Sequence, residues 1–212
     1  MLLIVLAIPA EADEFNCRSS VLRINALKAQ IYEPVVANPP DTPCVTVSNT
    51  LASIVAPLPI LGVIAANVVR ANTSTSPPFA TIVAASRLEG LNILDTVTTG
   101  ALRSHARVAS VEGKCVLSSI SSLDKVAILG APVLLTNNYL KVTIPLVGDV
   151  QFNATLGGPT PTNGAPNLNI VTQRALWLQI TNPLLQQTTG VKEVIVGEAT
   201  VKVVGNPCKT GP

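Results

Sequence analysis

The sequence predicts an all-β fold: an antiparallel β-sandwich, or a Greek-key or jelly-roll relative of one. Three observations carry this. Short runs rich in Val, Ile, Thr and Ser recur along the chain, bounded by clusters of Gly, Pro, Asn and Asp. Several runs alternate with period two, as Leu140, Val142, Ile144 and Leu146 do against Tyr139, Lys141 and Thr143. One pattern also occurs twice. Ser86–Leu94 is answered by Ser121–Leu129 at an offset of 35 residues, so that Leu88, Leu91, Ile93 and Leu94 align with Leu123, Val126, Ile128 and Leu129. An internal duplication is one way to account for that repeat.

At 212 residues the chain suits one sizeable β domain. The expected organisation is a signal-peptide-like segment over 1–12, an N-terminal extension over 13–43 and the β domain over 44–212. Apolar residues make up 48% and charged residues 12%, about half the usual share of charge. Aromatics contribute 3%, so the core must be built from Val, Leu, Ile and Ala. So little charge implies either a surface of Ser, Thr and Asn or a surface covered by other copies. A net charge of +2 gives no electrostatic case for nucleic acid or an anionic membrane.

Leu2–Ile8 is an apolar run broken by Pro9 and followed by Ala10-Glu11-Ala12, the pattern of a secretory leader with its cleavage site. It is shorter than the roughly 20 apolar residues of a membrane span. Leu51–Val69 comes nearest to that length, but Pro57 and Pro59 split it. The four cysteines agree with export. Cys17, Cys44, Cys115 and Cys208 lie far apart, without the close pairing of metal ligands, and point to two disulfides in an oxidising compartment. Four cysteines allow three connectivities; the pairing expected here is Cys17–Cys44 with Cys115–Cys208.

Taken in order, Asp13–Tyr32 reads as a helix or a long first strand, with Val, Ile and Tyr favouring the strand. Pro34, Pro39, Pro40 and Pro43 mark an extended loop. Cys44–Ser48 alternates, Leu51–Leu61 is a loop or edge segment, and Asn72–Pro78 is a polar turn. Ala101–Val111 alternates, with Leu102, Ala106 and Val108 opposite Arg103, His105 and Arg107. Glu112-Gly113-Lys114 signals a hairpin, as does Gly148-Asp149 after Tyr139–Leu146. Gly157–Pro166 is a turn-rich surface loop. Arg174–Thr181 places Leu176, Leu178 and Ile180 on one face and Trp177 on the other. Pro183–Gly190 connects to a final strand, Lys192–Val204, bent at Gly197. In that strand Glu193, Ile195, Gly197, Ala199, Val201 and Val203 share a face opposite Lys192, Glu198 and Lys202.

No catalytic residues are assigned. His105 is the one histidine, Arg103 and Arg107 oppose its protonation, and no G-x-S-x-G elbow accompanies it. The 12 acids are scattered singly, against the paired carboxylates of sugar hydrolysis. No metal site, calcium loop, phosphate-binding loop or cofactor motif is read. The binding candidates are Arg103, His105 and Arg107, as a row for an acidic glycan or carboxylate, and Trp177 as a platform. Their plainer readings are a solvated sheet face and interior or interface packing. Asn72-Thr73-Ser74 and Asn153-Ala154-Thr155 fit the glycosylation sequon.

The order of motifs resembles the choice-of-anchor P family of bacterial secreted surface proteins. The likeness runs from Pro78 to Cys208, through Leu88–Leu94, Thr99–Ser104, Cys115, Val142–Val150 and Val194–Val203. The resemblance implies display at the cell surface and supplies no catalytic residues. Such proteins differ in their C-terminal anchor. None is read in Gly205–Pro212, so release or incorporation into an assembly is expected. The functional expectation is an extracellular structural protein, a filament or surface-layer subunit completed by strand addition between copies, with residues 13–31 as donor. The alternative is an adhesion or glycan-binding β module. Partners are then copies of the chain or a surface glycan, with no nucleic acid and no membrane span.

Overall fold

The computed structural model describes residues 13–26, 30–58, 62–76, 81–135 and 138–209; the expected leader over 1–12 lies outside them. Among the described residues fourteen strands and one short helix follow in order. They are β1 (Glu14–Ala26), β2 (Gln30–Tyr32), β3 (Val36–Ala37), β4 (Val47–Leu58), β5 (Gly62–Ser76), β6 (Thr81–Ile93), β7 (Val97–Val111), β8 (Lys114–Leu123), β9 (Ala127–Ile128) and β10 (Ala131–Pro132). After these come β11 (Leu140–Ile144), β12 (Gly148–Gly158), β13 (Asn167–Ile180), α1 (Pro183–Thr189) and β14 (Val191–Val204). Two antiparallel sheets result. Sheet A runs β11-β12-β13-β14-β1-β2, with β3 also on β1. Sheet B runs β10-β9-β7-β6-β5-β4, with β8 also on β7. They pack face to face as the expected sandwich.

The first strand is not an extension. β1 pairs along its length with β14 and is flanked on its other side by β2 and β3, so β1, β2 and β3 all belong to sheet A. The helical option for 13–32 fails because β1 forms a residue-by-residue ladder with β14, which only extended backbone can make. On its second side β1 is paired with β2 and β3 at Ser19, Ser20, Ile24 and Asn25. Two further segments differ from expectation. Asn72–Ser76 continues β5 instead of turning. Pro183–Thr189 closes into a helical turn, with Asn182 accepting from the Leu184 amide at 2.9 Å and Gly190 ending it in the left-handed region.

The repeated sequence pattern has a specific structural cause. Leu88 and Leu123 both stand opposite Leu102, and Ile93 and Ile128 both stand opposite Val97. The two blocks flank β7 on its two sides in the same register. Both therefore match the same core-facing residues of one strand.

Each sheet bends along a line that crosses its strands. In sheet A, Asn153, Ala175, Gly197 and Val21 stand side by side between the paired positions that flank them. In sheet B, Ala52 lies opposite Val68 and Gly90 opposite Gly100, with register shifts on either side of Asn67. Left-handed backbone at Asn153, Gly197, Val68 and Gly90 marks the line. At it the strands exchange inward and outward faces. β14 buries Val194 and Val196 on one side of the bend, and Ala199, Val201 and Val203 on the other. The single-face reading of β14 is thereby corrected: Glu193 and Ile195 turn outward with Glu198, and Lys192 is separated from them. A strict period of two cannot survive a residue that reverses the pleat.

The bend divides the interior. A large cluster containing Leu88, Leu91, Phe152, Leu176 and Val196 fills one end; a smaller one with Phe15, Ile82, Val108, Val171 and Val201 fills the other. Between them runs a hydrogen-bonded polar belt. Ser121 Oγ donates to Asn153 Oδ1 at 2.8 Å, Gln173 Nε2 donates to Ser121 Oγ at 2.6 Å, and Ser119 Oγ donates to Gln173 Oε1 at 2.9 Å. Ser19 Oγ donates to the Ala85 carbonyl at 2.6 Å, and Ser86 and Ser104 share a bond of 3.0 Å. Most of these bonds cross from one sheet to the other, so buried polar groups are satisfied by fastening the layers together. The sequon residue Asn153 is consumed in this belt. Both expected disulfides form at the smaller-cluster end: Cys17–Cys44 and Cys115–Cys208, with Cα separations of 5.0 and 5.2 Å.

Gly197 is the narrow point. A Cβ there would stand 2.4 Å from Leu102 Cδ2, and its φ is +64°. Gly197→Ala should therefore lower stability by about 2–4 kcal/mol, combining left-handed strain with overpacking. Val68, a β-branched residue at φ 45° and 47% exposed, carries strain with no packing to offset it. Val68→Gly should raise stability by about 1 kcal/mol. Denaturant titration of the two variants checks both signs.

Candidate functional site

Sheet alternation decides where the predicted residues go. Leu102, Ser104, Ala106 and Val108 of β7 face the interior, which turns Arg103, His105 and Arg107 onto the outer face of sheet B. Pairing then adds two residues that sequence reading missed. Arg70 of β5 lies directly opposite Arg87 of β6, and Arg87 lies directly opposite Arg103 of β7. Three guanidinium-bearing positions thus share one line across three strands, about 4.8 Å apart from strand to strand. Arg107 and His105 extend the group along β7. Arg70 and Arg87 are single arginines on different strands, and their meeting depends on a register that passes through a bulge. No local signal in the sequence gives that register.

The row is poorly neutralised. Within the strands β4, β5, β6, β7 and β8 themselves the one acidic residue is Glu89, paired with Arg87. Arg70 Nε donates to Ser48 Oγ at 3.1 Å and Arg107 Nη2 to Thr81 Oγ1 at 3.3 Å. All four arginines are exposed. Like charges directly opposite each other on a sheet face repel, so this row lowers stability in the free protein. Arg70, Asn72, Arg87, Arg103 and His105 line a shallow depression of about 400 Å³. His105, half-buried between Ala85 and Ile120 on the neighbouring strands, has its pKa pushed below the ordinary 6.5, first by burial and then by Arg107. It is neutral at pH 7 and acquires charge only on acidification.

Trp177 does not join this group. It lies on the outer face of sheet A, at the opposite side of the sandwich. It is 8% exposed, donates from Nε1 to Glu193 at 2.6 Å, and is covered by Arg174, whose Cζ stands 4.3 Å from the ring centroid. The ring packs with Ile195 and Ala154. Arg174 leads into a second charged cluster centred on Glu198, which is 4% exposed. Glu198 accepts from Arg18 at 3.3 Å, Arg23 at 2.6 Å and Arg174 at 2.8 Å, and Arg18 also pairs with Glu33. The cleft beside it holds about 310 Å³. Here the charges are spent on one another and join β1, β13 and β14. The arginines of sheet B remain open to a ligand.

Among the described residues no group of His, Cys, Asp and Glu is placed to hold a metal ion. No helix among them is long and apolar enough to cross a membrane. Comparison with family models, with curated proteins and with solved structures gave no match for this chain. The two charged surfaces predict opposite mutational behaviour. Glu198→Ala strands the largely buried Arg23 and Arg174, leaves Arg18 with Glu33 alone, and should cost about 3–5 kcal/mol. Arg103→Gln should leave stability unchanged or slightly raised by relieving repulsion. Thermal unfolding of the two variants at low salt distinguishes them.

Proposed function

We propose that this protein is an exported contact module that holds an acidic polysaccharide against the outer face of sheet B. The observation that carries this reading is the register Arg70–Arg87–Arg103, three cations in line with one acid nearby. A planar guanidinium suits carboxylate and sulfate groups, which it binds through two parallel hydrogen bonds. A line of them matches a polymer whose charges repeat, and each bound anionic group offsets repulsion that the free face carries. Two disulfides fit the oxidising surroundings of a secreted protein. They support the surface-display expectation that the resemblance to choice-of-anchor P proteins raises. The role is binding without turnover. His105 has apolar cross-strand neighbours instead of an acid to orient it as a base.

A second reading, a self-assembling structural subunit, is favoured by β4. This edge strand contains no charged residue, and Ser48 to Ser53 are exposed in succession. Uncharged open edges are templates for pairing with another chain. In this reading β4, and not residues 13–31, is where copies meet. Sedimentation velocity over a range of concentrations should then show growing species, and Ser53→Lys should abolish them.

For the glycan reading, titration with dextran sulfate measures the affinity, with neutral dextran as control. Arg87→Gln and Arg103→Gln should each weaken binding about 3–10-fold, and binding should fall as salt rises. Affinity should increase as pH drops below the ordinary imidazole value, because His105 then gains its proton. His105→Gln should remove that rise. Equal binding of neutral dextran, or no loss in the arginine variants, rejects the reading.

A further inference from the structure

We propose that the end of the sandwich opposite the disulfides inserts a set of exposed leucines into a lipid bilayer surface. This goes beyond glycan binding and uses none of its residues. Three leucines stand out from this end: Leu129, Leu146 and Leu184 are 66%, 83% and 73% exposed. They come from separate segments, which the fold brings together. The Leu129 amide donates to the Thr96 carbonyl at 2.8 Å, joining the turn after β9 to the turn after β6. Asn182 Nδ2 donates to the Leu146 carbonyl at 2.7 Å, joining the β11–β12 turn to α1. Beside them Leu94, Val147 and Leu185 pack on the large core cluster. The end is therefore a firm base with leucines projecting from it. The opposite end has a different chemistry, with both disulfides and the Gly-, Pro- and Asn-rich loop between β12 and β13.

The backbone gives an independent reason to regard these leucines as more than accidental surface residues. Leu94, Leu129 and Leu146 occupy turn positions at φ 56°, 51° and 64°. Glycine or asparagine accepts that conformation with little strain, and tight hairpin turns select them for it. A leucine there is strained, and at positions 129 and 146 its side chain is turned to solvent, where packing cannot compensate. Strain held at exposed apolar tips points to a role outside the folded chain itself.

The occupant follows from placement, area and charge. The leucines sit on three separate segments, two turns and the start of α1. Together they expose on the order of 400 Å², short of the roughly 800 Å² that each member of a stable protein pair buries. The ionic residues closest to the tips, Asp95 and Asp149 against Lys141 and Lys192, balance, and Lys141 is paired with Asp149 at 2.8 Å. A charged partner would find no complement here. A bilayer interface takes up separate apolar side chains one by one and lets the lysine stems lie along it. Because the tips are balanced in charge, zwitterionic lipid suffices.

The test is co-sedimentation of the full chain with phosphatidylcholine vesicles free of glycan. The unmodified protein should partition onto them, and Arg103→Gln should bind equally well. The combined L129S, L146S and L184S variant should bind at least tenfold more weakly. Leu129→Asn and Leu146→Asn relieve backbone strain, so each should raise Tm by about 2–4 °C while weakening vesicle binding. A purely structural role for these leucines would lower Tm instead. Unmodified protein that ignores the vesicles, or serine and asparagine variants that bind as it does, overturns the proposal. So does a concentration-dependent dimer that the serine variant abolishes while vesicles remain unbound, which reassigns the end to self-association.

Discussion

At Gly197 the two sheets approach so closely that a methyl group would meet Leu102 at 2.4 Å. This contact sits on the line where every long strand of sheet A reverses its faces. Sheet B reverses along a matching line through Val68 and Gly90. A sandwich whose strands run to 15 residues cannot stay flat, because twist would pull its two layers apart toward the ends. Bending both sheets at mid-length lets each half pack its own cluster. The two clusters are the result, and the polar belt fills the junction that neither cluster reaches.

That division also organises the surface. Because inward and outward positions exchange at the bend, Arg103, His105 and Arg107 belong to the half of β7 beyond it. They share that half with Arg87, on the neighbouring strand. Sheet A uses its outward arginines differently. Arg18, Arg23 and Arg174 gather around Glu198 and hold three strands together. Two cationic groups on opposite faces are thus chemically distinct. One closes on an internal carboxylate and the other faces solvent nearly without counter-charge. The ends of the sandwich differ just as sharply, disulfides and turn-forming loops at one, leucine tips at the other.

Much of this was legible from local pattern. The β11–β12 and β7–β8 hairpins follow from alternation flanking turn residues. The outward placement of Arg103, His105 and Arg107 follows from the period-two burial of Leu102, Ala106 and Val108, and the cysteine pairing was anticipated. What could not be read were the places where one residue changes the phase. From the sequence Gly197 reads as a bend within a single face, yet its left-handed backbone moves Ile195 outward and Ala199 inward. β1, read as part of an extension, is tied into sheet A by β14, which lies nearly the whole chain away.

The sequence by itself determined the class of object: a β protein with an aliphatic core, little charge and two disulfides. These follow from composition and from contacts between residues a few positions apart. Only the tertiary structure decided that Arg70, Arg87 and Arg103 form one row, that Trp177 lies on the other side, and that Leu129, Leu146 and Leu184 share one end. Those facts depend on strand register and on which sheet a strand joins. Both are set by the summed packing of distant residues, which no single stretch of the chain encodes.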